Sequence, residues 1–345
     1  MSDKAQINRP DPIRLSHNES FACPHQLTSL PDLNWSELCL NRYLKQEEGP
    51  LLPALARYSG YQAANIVLGN GSDELILNII QALAGPGQGI LIHPPTFSVY
   101  QKAARICRVA VHQVPLLDSF QLNTEEMIRA ANQRQVDLIF ICNPNNPTAL
   151  ALAEEDILRI LDCTDCYVVI DEAYWEFAGN SFLKYLPHYP KLIILRTLSK
   201  AFACAGLRLG YLIADAGVRD AIRGVQMPFN LSSLTQCLGA YVIDNADHFA
   251  NYIDQMLKLK QQLNAELNSL PGVSTRPSAT NYLLIEVPDD PGQVVAELKR
   301  QGILVREVHH MDERLKNMIR ASVGTKAQND QFVAVLRKVL PNYGH

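Results

Sequence analysis

Little of this chain is charged. Asp, Glu, Lys and Arg together supply 19% of its 345 residues, and the formal net charge is −4. Hydrophobic residues supply 47%. That balance excludes extensive disorder and predicts a sizeable core in one or two domains. No dense cluster of lysine and arginine occurs, so a nucleic-acid partner is not expected. No uninterrupted apolar run is long enough to span a bilayer. The first fifteen residues, Met1 to Leu15, are polar, broken by Pro10 and Pro12, and lack the apolar core of a signal peptide. The expected location is the cytoplasm, with no membrane partner. Internal repeats and low-complexity tracts are also missing.

Metal chemistry finds no support either. Eight cysteines are scattered along the chain. Cys163-Thr-Asp-Cys166 has C-x-x-C spacing, but the second pair of ligands that zinc would need does not follow. The pair reads as reduced thiols at a helix-to-strand turn rather than as a thioredoxin-like motif. Cys142 and Cys204 read as small packing residues. Adjacent histidines point apart in most backbones, so His309 and His310 are expected on a surface or substrate loop, not on a metal.

What is present is an alternation. From about residue 66 to 212, short apolar runs alternate with amphipathic stretches. Candidate strands are Ile66–Leu68, Gly89–Ile92, Val109–Val114, Leu138–Cys142, Tyr167–Ile170, Leu192–Arg196 and Gly210–Ile213. Several are apolar throughout, as in a parallel sheet covered on both faces. Helices are predicted between them, including Asp73–Ala84, Thr124–Asn132 and Ala153–Leu161. This is an α/β layout, in which ligands sit beyond the carboxyl ends of the strands. A long helix is predicted from Ala246 to Leu270, ended by Pro271-Gly272. Strands Asn281–Glu286 and Ile303–Arg306 follow, with helices at Pro291–Gln301 and Gln328–Leu340. The division expected is an N-terminal arm over 1–30, a large domain over 31–245 and a smaller α+β domain over 246–345.

Four segments carry polar residues where chemistry could use them. Gly69-Asn-Gly71-Ser72-Asp73-Glu74 opens an amphipathic helix, with Gly71 or Ser72 as N-cap. A glycine-flanked helix start is an anion site, although on this segment alone an ordinary capped helix is the better explanation. Cys142-Asn-Pro-Asn-Asn146-Pro-Thr148 forces a turn at a strand end, where Asn146 could present its amide. Val168-Val-Ile-Asp171-Glu-Ala-Tyr174 puts a carboxylate at the end of a buried strand, which is costly unless it is paired. A protonated heterocycle nitrogen would be a fitting partner; an Asp capping the next segment is the alternative. Finally, Arg196-Thr-Leu-Ser199-Lys200 follows another apolar run. A desolvated lysine becomes a usable nucleophile, whereas alone it would read as a surface lysine. Arg208 follows closely, and a hydroxyl, a guanidinium and a helix start together make a phosphate cup.

In this order and spacing the four segments resemble the fold-type I aminotransferases, which depend on pyridoxal 5′-phosphate (PLP). The resemblance runs from about Leu15 to Gly324. Asn70-Gly-Ser-Asp-Glu74, Pro95-Thr-Phe-Ser-Val-Tyr100, Asp171-Glu-Ala-Tyr-Trp-Glu-Phe177 and Arg320-Ala-Ser-Val-Gly324 resemble the histidinol-phosphate aminotransferases within that class. The implied fold is α/β, with a large mostly parallel sheet domain and a smaller α+β domain. Lys200 would carry PLP as a Schiff base, and Asp171 would keep the ring nitrogen protonated. Asn146 and Tyr174 would contact the ring hydroxyl, and Phe97 would stack on the ring. Gly71, Ser72, Asp73, Ser199 and Arg208 would bind the cofactor phosphate. Tyr43 would reach the cofactor and substrate of a partner subunit, which implies a homodimer. Asn18, Arg306 and Arg320 would meet the substrate. The implied reaction passes the amino group of L-histidinol phosphate to 2-oxoglutarate. An aromatic or broad-range aminotransferase, or a threonine-phosphate decarboxylase, shares the scaffold. A non-enzymatic PLP-binding domain would not need Lys200 and its partners intact. The chain departs from the family pattern at Ala149 and Ala203-Cys204, in the arm around His17 to Phe21, at Leu44 after Tyr43, and at Phe97, where tyrosine is common. None of these removes a catalytic group.

Overall fold

Seven apolar runs become the strands of one sheet in the computed structural model, which describes residues 12–23, 38, 40–85, 87–133 and 135–340. In chain order these are β2 (Ile66–Asn70), β3 (Gly89–Ile92), β4 (Ala110–Gln113), β5 (Val136–Cys142), β6 (Tyr167–Asp171), β7 (Leu192–Thr197) and β8 (Leu209–Ala214). They lie in the order β2-β8-β7-β6-β5-β3-β4. All are parallel except β8, which runs antiparallel to both β2 and β7. The expected α/β fold with a mostly parallel sheet is therefore the observed one. Of the arm expected over 1–30, only residues 12–23 are described; Cys39 also lies outside the described residues.

The sheet is buried on both faces because its apolar runs divide themselves by the period of two. In β6 and β7, Val168, Ile170, Leu192 and Ile194 point into one core, whereas Val169, Ile193 and Leu195 point into another. The second core is closed by helix Ser72–Leu83, through Leu75, Ile76, Ile79 and Ile80, and by helix Val99–Cys107, through Tyr100, Ala103 and Ala104. Helices Thr124–Gln133 and Glu154–Cys163 close the first. Cys163 ends the second of these helices, exposed, while Cys166 is buried beside β6; both are free thiols.

A second sheet has the order β12-β13-β10-β9, antiparallel throughout. Its strands are β9 (Ser274–Thr275), β10 (Tyr282–Glu286), β12 (Arg306–Glu307) and β13 (Met318–Ser322). Helix Ala246–Asn268 serves two cores. Phe249, Tyr252 and Met256 join the core of the large sheet; Leu263 and Leu267 join a third core with Leu283 and Ile285 of β10. The single strand expected over Ile303–Arg306 is a correction: it is split. Ile303–Leu304 forms β11, which pairs in parallel with β1 (Ile13–Arg14) of the arm, and Arg306 begins β12 against β13. The arm supplies the reason, since Ile13 and Leu15 donate their amides to the carbonyls of Gly302 and Leu304. Among the described residues, no helix is long and apolar enough to cross a membrane.

One buried ion pair ties the carboxyl ends of the central strands. Arg196 of β7 donates through Nε and Nη2 to Glu172 Oε2, at 3.0 and 2.9 Å, with side chains only 3% and 1% exposed. Ser181 Oγ accepts from Arg196 at 2.7 Å, and the guanidinium lies 4.1 Å from the centre of the Trp175 ring. Breaking such a pair from one side strands a buried charge. Arg196→Met is expected to destabilise the protein by about 3–5 kcal/mol, read as a lowered urea midpoint at unchanged slope. A loss under about 1 kcal/mol would mean that Glu172 finds its neutralisation elsewhere.

Candidate active site

Parallel strands deliver their carboxyl ends to one edge. Cys142 of β5 stands directly beside Asp171 of β6, and β7 ends next to them at Thr197. The turns that leave these ends, together with the arm and the second sheet, enclose a cavity of about 630 Å³. It gathers Asn18, Ser72, Asp73, Phe97, Asn146, Asp171, Tyr174, Ser199, Lys200, Arg208, Arg306 and Arg320. Two residues singled out in the sequence are not on its wall. Gly71 lies just behind it as the helix N-cap, at φ 80°, where a Cβ would come within 2.6 Å of the Arg208 guanidinium. Tyr43 stands outside, 82% exposed, with its ring stacked on Phe229 at 4.8 Å.

The anion end of the cavity is built by close backbone approach. Gly210 of β8 passes so near the helix start that a Cβ would lie 2.5 Å from the Ser72 amide nitrogen. That helix start has no side-chain cap and carries the positive end of the helix dipole. Arg208 adds a fixed charge, held by Asp73 at 3.1 Å. Ser199 Oγ accepts from the Thr197 hydroxyl at 2.9 Å. Amides, hydroxyl and guanidinium together suit a phosphate.

Asp171 is 2% exposed. Burial pushes its carboxyl up to about 6, against donations from the Tyr100 hydroxyl and the Ala173 amide. Phe97 packs edge-on against Tyr100, with ring centroids 5.6 Å apart. The buried Tyr174 hydroxyl, its pKa raised by burial, accepts from Asn18 Nδ2 at 2.9 Å. Asn18 holds a left-handed φ of 53°, which asparagine tolerates better than most residues. Its amide also donates to Ser322 Oγ, and its carbonyl accepts from Asn281. The arm is thus clamped across the cavity.

Lys200 Nζ lies 3.2 Å from the His17 carbonyl oxygen. Burial pushes its amine down to about 8; Arg320 and Arg208 push the same way, while Glu19 and Asp73 oppose. Arg306 and Arg320 are direct partners across the β12–β13 pair, so both side chains leave the same face of the sheet. Arg320 donates to Asn146 Oδ1 at 2.7 Å and to the Ser16 carbonyl at 2.9 Å. Its buried Nε has no partner among the described residues. Burial lowers the Arg320 pKa, with Arg306 adding to the effect.

Some participants escaped the sequence reading. Cys142, read as packing, lines the cavity because it ends β5. Tyr100 meets the ring of Phe97, which precedes the helix, but the sequence offered no sign that its hydroxyl meets Asp171. Two departures from the family pattern fall at left-handed backbone positions: Ala149 has φ 65° and Ala203 has φ 55°. Glycine suits both better, and alanine costs roughly 1–2 kcal/mol at each. His309 and His310 lie in the turn after β12, with rings 5.6 Å apart, and with Glu307 their donor atoms fall within 4.8 Å of one another.

Three comparisons bear on this cavity. Residues 14–336 match the family model for aminotransferase class I and II. The histidinol-phosphate aminotransferase of Desulfitobacterium hafniense (strain Y51) is 35% identical over 336 residues, covering 96% of this chain and 92% of that protein. The histidinol-phosphate aminotransferase structure from Clostridium acetobutylicum superposes with a TM-score of 0.86 at 23% identity, covering 95% and 98% of the two chains. The Sinorhizobium meliloti enzyme of that name, solved in complex with pyridoxal-5′-phosphate, gives 0.85 at 24%, covering 96% and 91%.

A desolvated amine loses its proton at lower pH, so Lys200 should be neutral above about pH 8. The rate at which an amine-reactive reagent labels Lys200 in the ligand-free protein, followed by peptide mass spectrometry, should rise with a midpoint of about 8. A midpoint near that of an ordinary lysine, about 10.4, would remove the electrostatic account of this residue.

Proposed function

The chain belongs to the class I and II aminotransferases, and we propose that within this family it transfers the amino group of L-histidinol phosphate to 2-oxoglutarate, giving imidazole acetol phosphate and glutamate. It is a PLP-dependent enzyme. The cavity fits PLP on its own chemistry: an amine that is neutral above about pH 8, a buried carboxylate, and a glycine-flanked helix start beside Arg208. These suit the aldehyde, the ring nitrogen and the phosphate respectively. Lys200 would hold the aldehyde and Asp171 the ring nitrogen. Asn146 and Tyr174 would take the ring hydroxyl and Phe97 the ring face. Ser72, Asp73, Ser199 and Arg208 would hold the phosphate, while Gly71, whose amide donates to the Gly69 carbonyl, leaves room for the Arg208 guanidinium. When bound, PLP supplies an electron sink for the substrate carbon that loses its proton.

The chain's own residues do the rest. Lys200 Nζ takes that proton as a general base and returns it as a general acid, which a pKa of about 8 allows near neutral pH. Asp171 supplies the counter-charge that keeps the ring nitrogen protonated. Asn18 holds the Tyr174 hydroxyl in place from the arm. The clamped arm, from Ser16 to Glu19, narrows the cavity and limits water.

The observation that carries the substrate is the arginine pair. Two like charges directly opposite on neighbouring strands destabilise the sheet, and Arg306 and Arg320 are such partners. A dianion relieves that repulsion better than a single carboxylate. The unpartnered Arg320 Nε is a donor in want of an acceptor. The name of the Desulfitobacterium hafniense relative supports the same reading.

A homodimer belongs to this proposal, as does a cytoplasmic setting. Leu40, Tyr43, Met227 and Phe229 are large apolar residues that a monomer would leave in water, at 63%, 82%, 74% and 44% exposure, and Tyr43 stacks on Phe229. Light scattering should give twice the chain mass, and Met227→Asp should shift the protein toward monomer with loss of turnover. A fully active monomer would end the proposed role of Tyr43.

The substrate is tested with a panel of donors. Histidinol phosphate with 2-oxoglutarate should yield glutamate at a kcat/KM well above that of phenylalanine or tyrosine. Arg306→Gln should raise the KM for histidinol phosphate about tenfold to a hundredfold, the scale of one hydrogen bond to a charged group. Carbon dioxide release from threonine phosphate without a keto acid would make the enzyme a decarboxylase instead.

A further inference from the structure

Tyr100 has no place on the cavity wall, yet it reaches the most consequential carboxylate there. It opens helix Val99–Cys107 at the second position and is fully buried. Its ring stacks on Phe140 of β5 at 4.8 Å and meets Phe97 edge-on at 5.6 Å, so the hydroxyl has little freedom to move. That hydroxyl donates to Asp171 Oδ2 at 2.7 Å, while Oδ1 accepts from the Ala173 amide at 3.1 Å. Each carboxylate oxygen therefore has one donor of its own.

We propose that Tyr100 is a positioning residue for the reaction: its hydroxyl fixes the plane of the Asp171 carboxylate and keeps that group ionised. The groups around Asp171 leave this task to Tyr100. Asp73 and Glu172 are carboxylates that oppose a second negative charge, and they are engaged with Arg208 and Arg196. The Cys142 thiol is pushed up by burial and by Asp171 itself, so it stays neutral. The Tyr100 hydroxyl is likewise held protonated by burial and by Asp171, which makes it a permanent donor. Loss of the hydroxyl leaves one oxygen of a fully desolvated carboxylate unsatisfied. The group then takes up a proton and loses the charge that opposes a protonated ring nitrogen.

The proposal rests on Asp171 facing the cofactor ring nitrogen, and the test separates the two. The holoenzymes of Tyr100→Phe, Asp171→Asn and the double variant are compared for kcat, KM and the pH dependence of the visible cofactor absorbance. Tyr100→Phe keeps the ring and its packing. It should lower kcat by about tenfold or more, leave KM within about twofold, and shift the absorbance titration, on the scale of one hydrogen bond to a charged group. In the Asp171→Asn background the same change should have little further effect, since coupled residues are not additive. An unchanged kcat and absorbance in Tyr100→Phe overturns the proposal. So does an equal loss in the Asp171→Asn background, which would mean that the hydroxyl serves packing alone. If Asp171→Asn itself leaves turnover and absorbance intact, the assignment of Asp171 fails instead.

Discussion

A carboxylate at the buried end of an apolar strand is the constraint around which this molecule is arranged. β6 is apolar from Val168 to Ile170 and then presents Asp171 and Glu172 in succession. The strand period sends them to opposite faces of the sheet. Neither can be left alone, because an uncompensated charge in a desolvated place costs several kcal/mol. Glu172 is answered from within, by Arg196 of the neighbouring strand and by Ser181. Asp171 is answered only in part, by a tyrosine hydroxyl and one amide, and its remaining capacity faces the cavity. The difference between the two carboxylates is that Glu172 is neutralised within the fold, whereas Asp171 keeps capacity for a group in the cavity.

The cavity's cations follow a similar logic. Lys200 and Arg208 come from the turn that joins β7 to β8, while Arg306 and Arg320 come from the second sheet. They meet because the arm pairs with β11 and its clamp lies over the cavity, hydrogen-bonded to Ser322 and Asn281. Bringing positive groups together has two consequences. It helps burial to hold the Lys200 amine down near 8, where it can exchange a proton at neutral pH. It also sets Arg306 and Arg320 in mutual repulsion, which the proposed anionic substrate would relieve.

Much of this was legible in the chain before folding. The strands of the large sheet were visible as apolar runs because burial on both faces leaves no polar alternation to confuse them. The polar ends of those runs were visible as Asp171, Asn146 and Lys200, each with a ligand-free reading when taken alone, and it was their joint order and spacing that pointed to a site. Helix starts at Ser72 and Lys326 lie within two residues of the expected positions. The failure has a clear cause. Splitting 303–306 between two sheets depends on where the arm docks, and that is set by a distant partner.

The sequence by itself determined the alternation of elements, the residue types at the strand ends and the family, because these depend on local period and on the chemistry of single side chains. Tertiary structure alone decided that Arg306 faces Arg320 across a strand pair, that Asn18 reaches Tyr174 from 156 residues away, and that Tyr100 holds Asp171. Such contacts are fixed by strand register and by the closure of long loops, which depend on how the whole chain packs and leave no mark in the spacing of neighbouring residues.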